Sequence, residues 1–236
     1  MTRRIVLFLS LTLLIGGLSG CDGAASSPDE TPIPVVEGLE GLDSYHVRLS
    51  MSFDSVTSGS PVQVSYEMYI DRVADPFAQY VLVRRGGTIE DYEFFYFPDR
   101  QYLIVGGGEC LYLPAEGNEA MEPEMFKPDE VLGEDVEEHR VQPDEYVNDV
   151  LCRHYVIESS DDSGSTEGEV WVAVEGNYIV KYVLQTKGAD PETGDVGRAE
   201  WEYEVSDINA PIAIERPTDC EEAIIGEFPG IPSPTD

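Results

Sequence analysis

The chain has 236 residues, with 14 Lys and Arg against 47 Asp and Glu, for a net charge of −33. A charge of that size and sign opposes binding to nucleic acid and to anionic lipid headgroups. An apolar content of 42%, with 13 Tyr and 8 Phe, is enough for a sizeable core, so the chain is a folded protein with an acidic coat and not a disordered acidic segment.

The chain opens Met1-Thr2-Arg3-Arg4 and then runs apolar from Ile5 to Ile15. A positive stretch followed by a short apolar one has the form of an export signal and falls short of the about 20 residues of a membrane-spanning helix. It ends Leu18-Ser19-Gly20-Cys21, which resembles the lipobox of bacterial lipoproteins. The resemblance implies cleavage before Cys21, diacylation of the Cys21 thiol and acylation of the new amino group. One acyl chain binds a membrane only reversibly, whereas two or three hold the protein there. Residues 1–20 are therefore read as a lipoprotein signal peptide. Residues 21–34, rich in Ser, Pro, Asp and Ala, are read as the lipidated cysteine and a flexible tether. The expected location is extracytoplasmic, with the body anchored to the cell membrane through Cys21.

Next comes "PVVEGLEGLDSY", a candidate short helix with Val35, Val36, Leu39 and Leu42 on one side. Its two glycines weaken it by about 1 kcal/mol each. From Tyr45 onward, alternation of period two dominates, the mark of strands with one wet and one buried face. "YHVRLSMSF" sets Tyr45, Val47, Leu49, Met51 and Phe53 against His46, Arg48, Ser50 and Ser52. "PVQVSYEMYI" sets Val62, Val64, Tyr66, Met68 and Ile70 on one side. Further strands are expected at 79–85, 92–97, 102–105 and 110–113, then at 153–158, 169–174 and 178–186. "AEWEYEVSD" closes the series, with Ala199, Trp201, Tyr203 and Val205 facing one way and Glu200, Glu202 and Glu204 the other.

Turn residues punctuate these runs, as in "TSGSP", "PDR" and "GGG", and "VEGNYIV" reads as a hairpin. Two further helix starts are expected, in "KPDEVLGEDVEEHRV" and "QPDEYVNDV". With so little helix, the expected fold class is mainly β. The expectation is one large, strongly curved antiparallel sheet, with short helices as a lid over one face.

Beyond Cys21 the cysteines are Cys110, Cys152 and Cys220. Export would allow a disulfide, and three pairings are open. Cys110 with Cys152 is the expected pair, because both sit in strand-like stretches on either side of the helical insert.

The order of these features resembles the LolA/LppX-type lipoproteins over residues 35–217. The likeness is carried by the lipobox and tether, "GLDSYHVRLSMSF", "VNDVLCRHYVIE", "EVWVAVEGNYIVKYVLQTKG" and "WEYEVSDINAPIAIERP". It implies a half-barrel of antiparallel strands whose concave side is closed by helices. It also implies an apolar cavity for lipid or lipoprotein acyl chains, in transport across the envelope or storage in it. Residues 218–236 remain as a Pro-rich tail. The residues expected to line the cavity are Val64, Tyr66, Met68, Phe94, Tyr182, Trp201 and Tyr203.

Enzymatic chemistry has little to stand on. His46, His139 and His154 form no motif with a Ser or Cys nucleophile, and neither GxSxG nor HExxH occurs. No Cys/His metal spacing is present, and the acidic loops "SSDDSGSTEGE" and "GADPETGDVG" do not follow the calcium-loop pattern. The expected function is thus non-enzymatic and without cofactor: a lipoprotein that binds or carries lipid in a concave face. The alternative is an envelope sensor or interaction module with a filled core, whose protein partner would present a basic surface.

Overall fold

The computed structural model describes residues 38–55, 62–86, 91–114, 137–160, 164–189 and 196–223. The signal, Cys21 and the tether lie outside the described residues, as do most of the first helical insert and the end of the tail.

Among the described residues, twelve strands form one sheet in the order β12-β6-β5-β4-β3-β2-β1-β11-β10-β9-β8-β7. In chain order they are β1 (Ser44–Ser55), β2 (Val62–Val73), β3 (Ala78–Arg85), β4 (Asp91–Phe97), β5 (Arg100–Val105) and β6 (Glu109–Pro114). Then follow β7 (Glu137–Val147), β8 (Val150–Ser160), β9 (Gly164–Ala173), β10 (Ile179–Ala189), β11 (Val196–Ser206) and β12 (Glu221–Glu222). Every pairing is antiparallel except β6 with β12. The sheet is open, with β7 and β12 at its edges.

Consecutive strands are neighbours within β1–β6 and within β7–β11, and tight turns join some of them. Asn148 and Asp149 both take positive φ between β7 and β8, as Gly106 and Gly107 do between β5 and β6, the conformation that two-residue hairpin turns require. Two pairings are long-range among the described residues: β1 with β11 joins the two halves, and β12 returns to β6. The sheet is strongly curved. Asn148 Nδ2, at the tip of the β7–β8 hairpin, donates to Glu204 Oε1 at 2.9 Å and to the Val205 carbonyl at 2.8 Å. In the sheet β9 and β10 lie between β8 and β11, and at about 4.8 Å per strand a flat sheet would hold those partners apart.

Register sorts the side chains into two faces. One row runs Tyr182–Tyr203–Leu49–Met68–Val83, and the next runs Leu184–Trp201–Met51–Tyr66–Arg85. This is the apolar face. Its main core comprises Tyr45, Val47, Leu49, Tyr155, Ile157, Val170, Val172, Ile179, Tyr182, Leu184, Tyr203 and Val205. Each such side chain fully buried contributes about 1.5–3 kcal/mol. The opposite face carries Arg48, Glu67, Glu200, Glu202 and Glu204, with exposed ion pairs such as Arg48–Glu67 at 3.7 Å. Pairs of that kind add little stability.

Several expectations are corrected. The disulfide joins Cys110 to Cys220, and Cys152 is a buried free thiol. Cys110 on β6 and Cys152 on β8 cannot pair because most of the sheet separates them, whereas a bridge needs α-carbons within about 7 Å. "QPDEYVNDV" is no helix but the end of β7, its turn and the start of β8. Pro143 falls at the register shift between Val141 and Glu145, and an edge strand with a bulge is where a sheet tolerates proline. The other helical insert is strand from Glu137, and its earlier residues lie outside the described ones. Of the N-terminal candidate helix, the described part forms a 3-10 turn at Leu39–Gly41, and residues 34–37 lie outside the described ones. No covering helices occur among the described residues.

After β11 the chain crosses the polar face as an extended strap. Asn209 Oδ1 accepts from the Asp43 amide at 2.8 Å, and Ser44 Oγ donates to the Ala210 carbonyl at 2.6 Å. Ile214 and Cys220 pack against Ala78, Phe97 and Tyr102. Arg216 ion-pairs with Asp99 and lies 4.5 Å from the centre of the Phe97 ring.

Candidate functional site

The seven residues expected to line a cavity all stand on the apolar face, but not at one depth. Tyr182 and Tyr203 are 0% and 3% exposed, with rings stacked 5.0 Å apart. Burial pushes both phenols far up, so they remain neutral. They are core. Met68 and Trp201 are half-buried and pack on the edge of the same core. Val64 and Tyr66 are half-buried on β2. Phe94 belongs to a separate cluster on the same face, with Leu103, Ala223 and Tyr92.

The register brings Trp201, Met51 and Tyr66 side by side on β11, β1 and β2. Ala199, Phe53 and Val64 form the adjacent row, and Phe53 is 37% exposed. These two rows make a half-exposed apolar wall, continuous with the core on one side. It holds Trp201, Tyr66 and Val64 from the expected set, without Tyr182, Tyr203 or Phe94.

Met51, Phe53 and Arg85 belong to the wall and were not among the expected lining residues. The phase of alternation carried the signal for all three. Val81, Val83 and Arg85 share one phase of β3, so Arg85 falls on the apolar side and Arg84 on the polar one. Arg84 Nε donates to Asp91 Oδ2 at 3.2 Å, while the Arg85 guanidinium lies 5.8 Å from the centre of the Tyr66 ring.

A groove of about 480 Å³ crosses the same strands. Met51, Tyr66, Leu184 and Trp201 contribute to its lining, and they alternate with Ser50, Ser52, Ser65, Glu67, Glu200 and Glu202. The lining thus draws on both phases of these strands.

The histidines sit in structural pairings. His46 Nδ1 contacts Asp71, its cross-strand partner. His154 lies between Glu145 at 3.3 Å and Glu169 at 3.4 Å and stacks on Trp171 at 4.5 Å. Trp171 Nε1 donates to Glu145 at 2.6 Å. His139 stands opposite Val156 in the β7–β8 pair. Burial raises the Cys152 thiol to about 11, so it stays protonated and a poor nucleophile at neutral pH.

No family model and no curated protein matches the chain. Similar solved structures include a LolA superfamily protein from Nitrosomonas europaea, at 9% identity, 74% of this chain, 89% of that chain and a TM-score of 0.26. Another is a DUF1329 family protein from Desulfovibrio piger, at 11% identity, 75% and 89% coverage and a TM-score of 0.25. A third is a domain ascribed to outer membrane lipoprotein sorting, from Vibrio parahaemolyticus, at 11% identity, 72% and 87% coverage and a TM-score of 0.23. Identities and superpositions this low give no ground for transferring a function, and the reading that follows stands on the chain's own residues.

Proposed function

We propose that this chain is an extracytoplasmic lipoprotein, anchored through an acylated Cys21, that holds an apolar ligand such as lipid against the wall formed by Trp201, Met51, Tyr66, Phe53 and Val64. One observation carries the reading. Along the same strands the apolar face passes from fully buried to half-exposed, so large aromatic and aliphatic side chains stay accessible on a sheet that otherwise hides them. Accessible apolar surface of this kind binds apolar ligands by its removal from water, at about 25 cal/mol per Å². Transport or storage in the manner of LolA/LppX-type proteins is part of this proposal, and no catalytic step is.

The test is retention. Trp201→Glu and Tyr66→Glu each place a charge on the wall. Both variants are expected to lose bound lipid while keeping a native circular dichroism spectrum and thermal transition. A folded double variant that still retains lipid overturns this site.

A second reading is favoured by the stacked and buried Tyr182–Tyr203 pair. A face filled to that depth suits an interaction module with no ligand. Its protein partner would present a basic surface to the acidic face of β9 and β11.

A further inference from the structure

The β7–β8 hairpin is held unevenly along its length. Val141 pairs with His154 and Glu145 with Cys152, so β7 carries surplus residues around Pro143. A bulge of this kind interrupts the ladder and bends the strand. Beyond it follow three register pairs, Glu145–Cys152, Tyr146–Leu151 and Val147–Val150. β7 is an edge of the sheet, so β8 is its one strand neighbour among the described residues. The outward side chains give little hold, with Tyr146 74% and Leu151 37% exposed. Inward, Val147 and Val150 are half-buried against the cluster that contains Cys152, Trp171 and Tyr178.

The ties that do exist sit at the two ends of this segment. At its base, beside the bulge, Trp171 Nε1 donates to Glu145. At its tip, Asn148 takes a φ of 50° and sends its side-chain amide past β9 and β10 to β11. There Nδ2 donates to the Glu204 carboxylate and the Val205 carbonyl. A hydrogen bond to a charged acceptor is the stronger kind. β8 is fixed separately, by its pairing with β9 and by the Val174 amide, which donates to the Leu151 carbonyl. Cys152 lies beneath the tip, 0% exposed, with Sγ donating to the Val150 carbonyl at 3.4 Å.

We propose that residues 146–150 form a flap over the buried end of the sheet, hinged at the Pro143 bulge and latched to β11 by Asn148. The flap opens while the rest of the sheet stays folded. An edge segment beyond a bulge, with few buried contacts, opens at a fraction of the free energy of global unfolding. Opening uncovers Cys152 and gives access to the buried end, at the opposite end of the strands from the Trp201 wall. This inference stands whether or not the wall is a ligand site.

Cys152 reports the opening. The full-length protein is incubated with iodoacetamide in mildly alkaline buffer, where an exposed thiol reacts as its thiolate. Urea is raised in steps below the unfolding transition, and modification is read on the Cys152 peptide by mass spectrometry. The native rate is expected to be measurable and flat at low urea, because a flap exposes little surface. Asn148→Gly removes the amide and accepts the positive φ without strain. It is expected to raise the flat rate at least about tenfold, the usual worth of a hydrogen bond to a charged group. Glu204→Gln, which keeps an acceptor and loses the charge, should raise it less. A native rate that is undetectable below the transition, or that climbs from the start with the slope of global unfolding, overturns the flap. A flat rate that Asn148→Gly leaves unchanged overturns the latch.

Discussion

The two ends of the apolar face are built from the same strands and are almost equally apolar in sequence. On β1, Val47 and Leu49 are 5% and 8% exposed, Met51 is half-buried and Phe53 is 37% exposed. On β11, Val205 and Tyr203 are buried and Trp201 is half-buried. What differs is the cover. Leu39 and Leu42, before β1, and Ile208, after β11, pack over the buried end. The pleat of a strand decides which side a residue takes, but its depth depends on segments that arrive from elsewhere in the chain. A half-open end next to a closed one is also how a single sheet can be both a stable core and a binding surface.

The contrast can be tested by taking the molecule apart in steps. Opening the Cys110–Cys220 bridge, which closes a separation of 110 residues, is expected to cost up to about 5 kcal/mol through loop entropy. Cys220→Ser should lower the urea midpoint accordingly. Because the strap crosses the polar face, ligand retention by the protein that remains folded should survive; its loss would tie the wall to the strap. Tyr203→Ala, at the buried end, is expected to cost about 3 kcal/mol by leaving a cavity. Met51→Ala, on the wall, should cost only about 1 kcal/mol, since part of its surface already meets water. Equal costs in urea denaturation would erase the distinction between the ends.

The smallest expected effect is electrostatic. The hydrogen bond from Arg216 holds the Asp99 carboxyl below its usual range. A lowered folded pKa means that the pair's stability is present above the unfolded value of about 3.9 and is lost as pH falls through the folded value. Both groups are largely exposed, so the contribution is less than about 1 kcal/mol. Arg216→Ala should therefore lower the melting temperature slightly at pH 7, with the difference from the native protein narrowing in acid to what the contact with the Phe97 ring contributes.

Much of the sheet was legible. The strands at Tyr45–Phe53 and Ala199–Ser206 lie within β1 and β11, and the Gly176–Asn177 turn was visible because Gly-Asn stands between two apolar runs. Strand β7 was hidden because Pro-Asp-Glu imitates a helix start, and nothing local says that Pro143 will fall on an edge bulge. The Cys110–Cys220 pairing was hidden for a related reason. It depends on the strap returning across the polar face, a long-range event that spacing alone does not encode. At the site, face could be read and depth could not, which is why Tyr182 and Tyr203 were grouped with Trp201 and Tyr66.

The most direct test of the central claim is native mass spectrometry of the full-length protein purified from bacterial membranes, beside its Trp201→Glu variant. A bound species of lipid mass on the native protein, released by organic extraction and missing from the folded variant, is the predicted result. A native protein that carries no such species, even after incubation with mixed lipids, would contradict the account and leave a filled interaction module in its place.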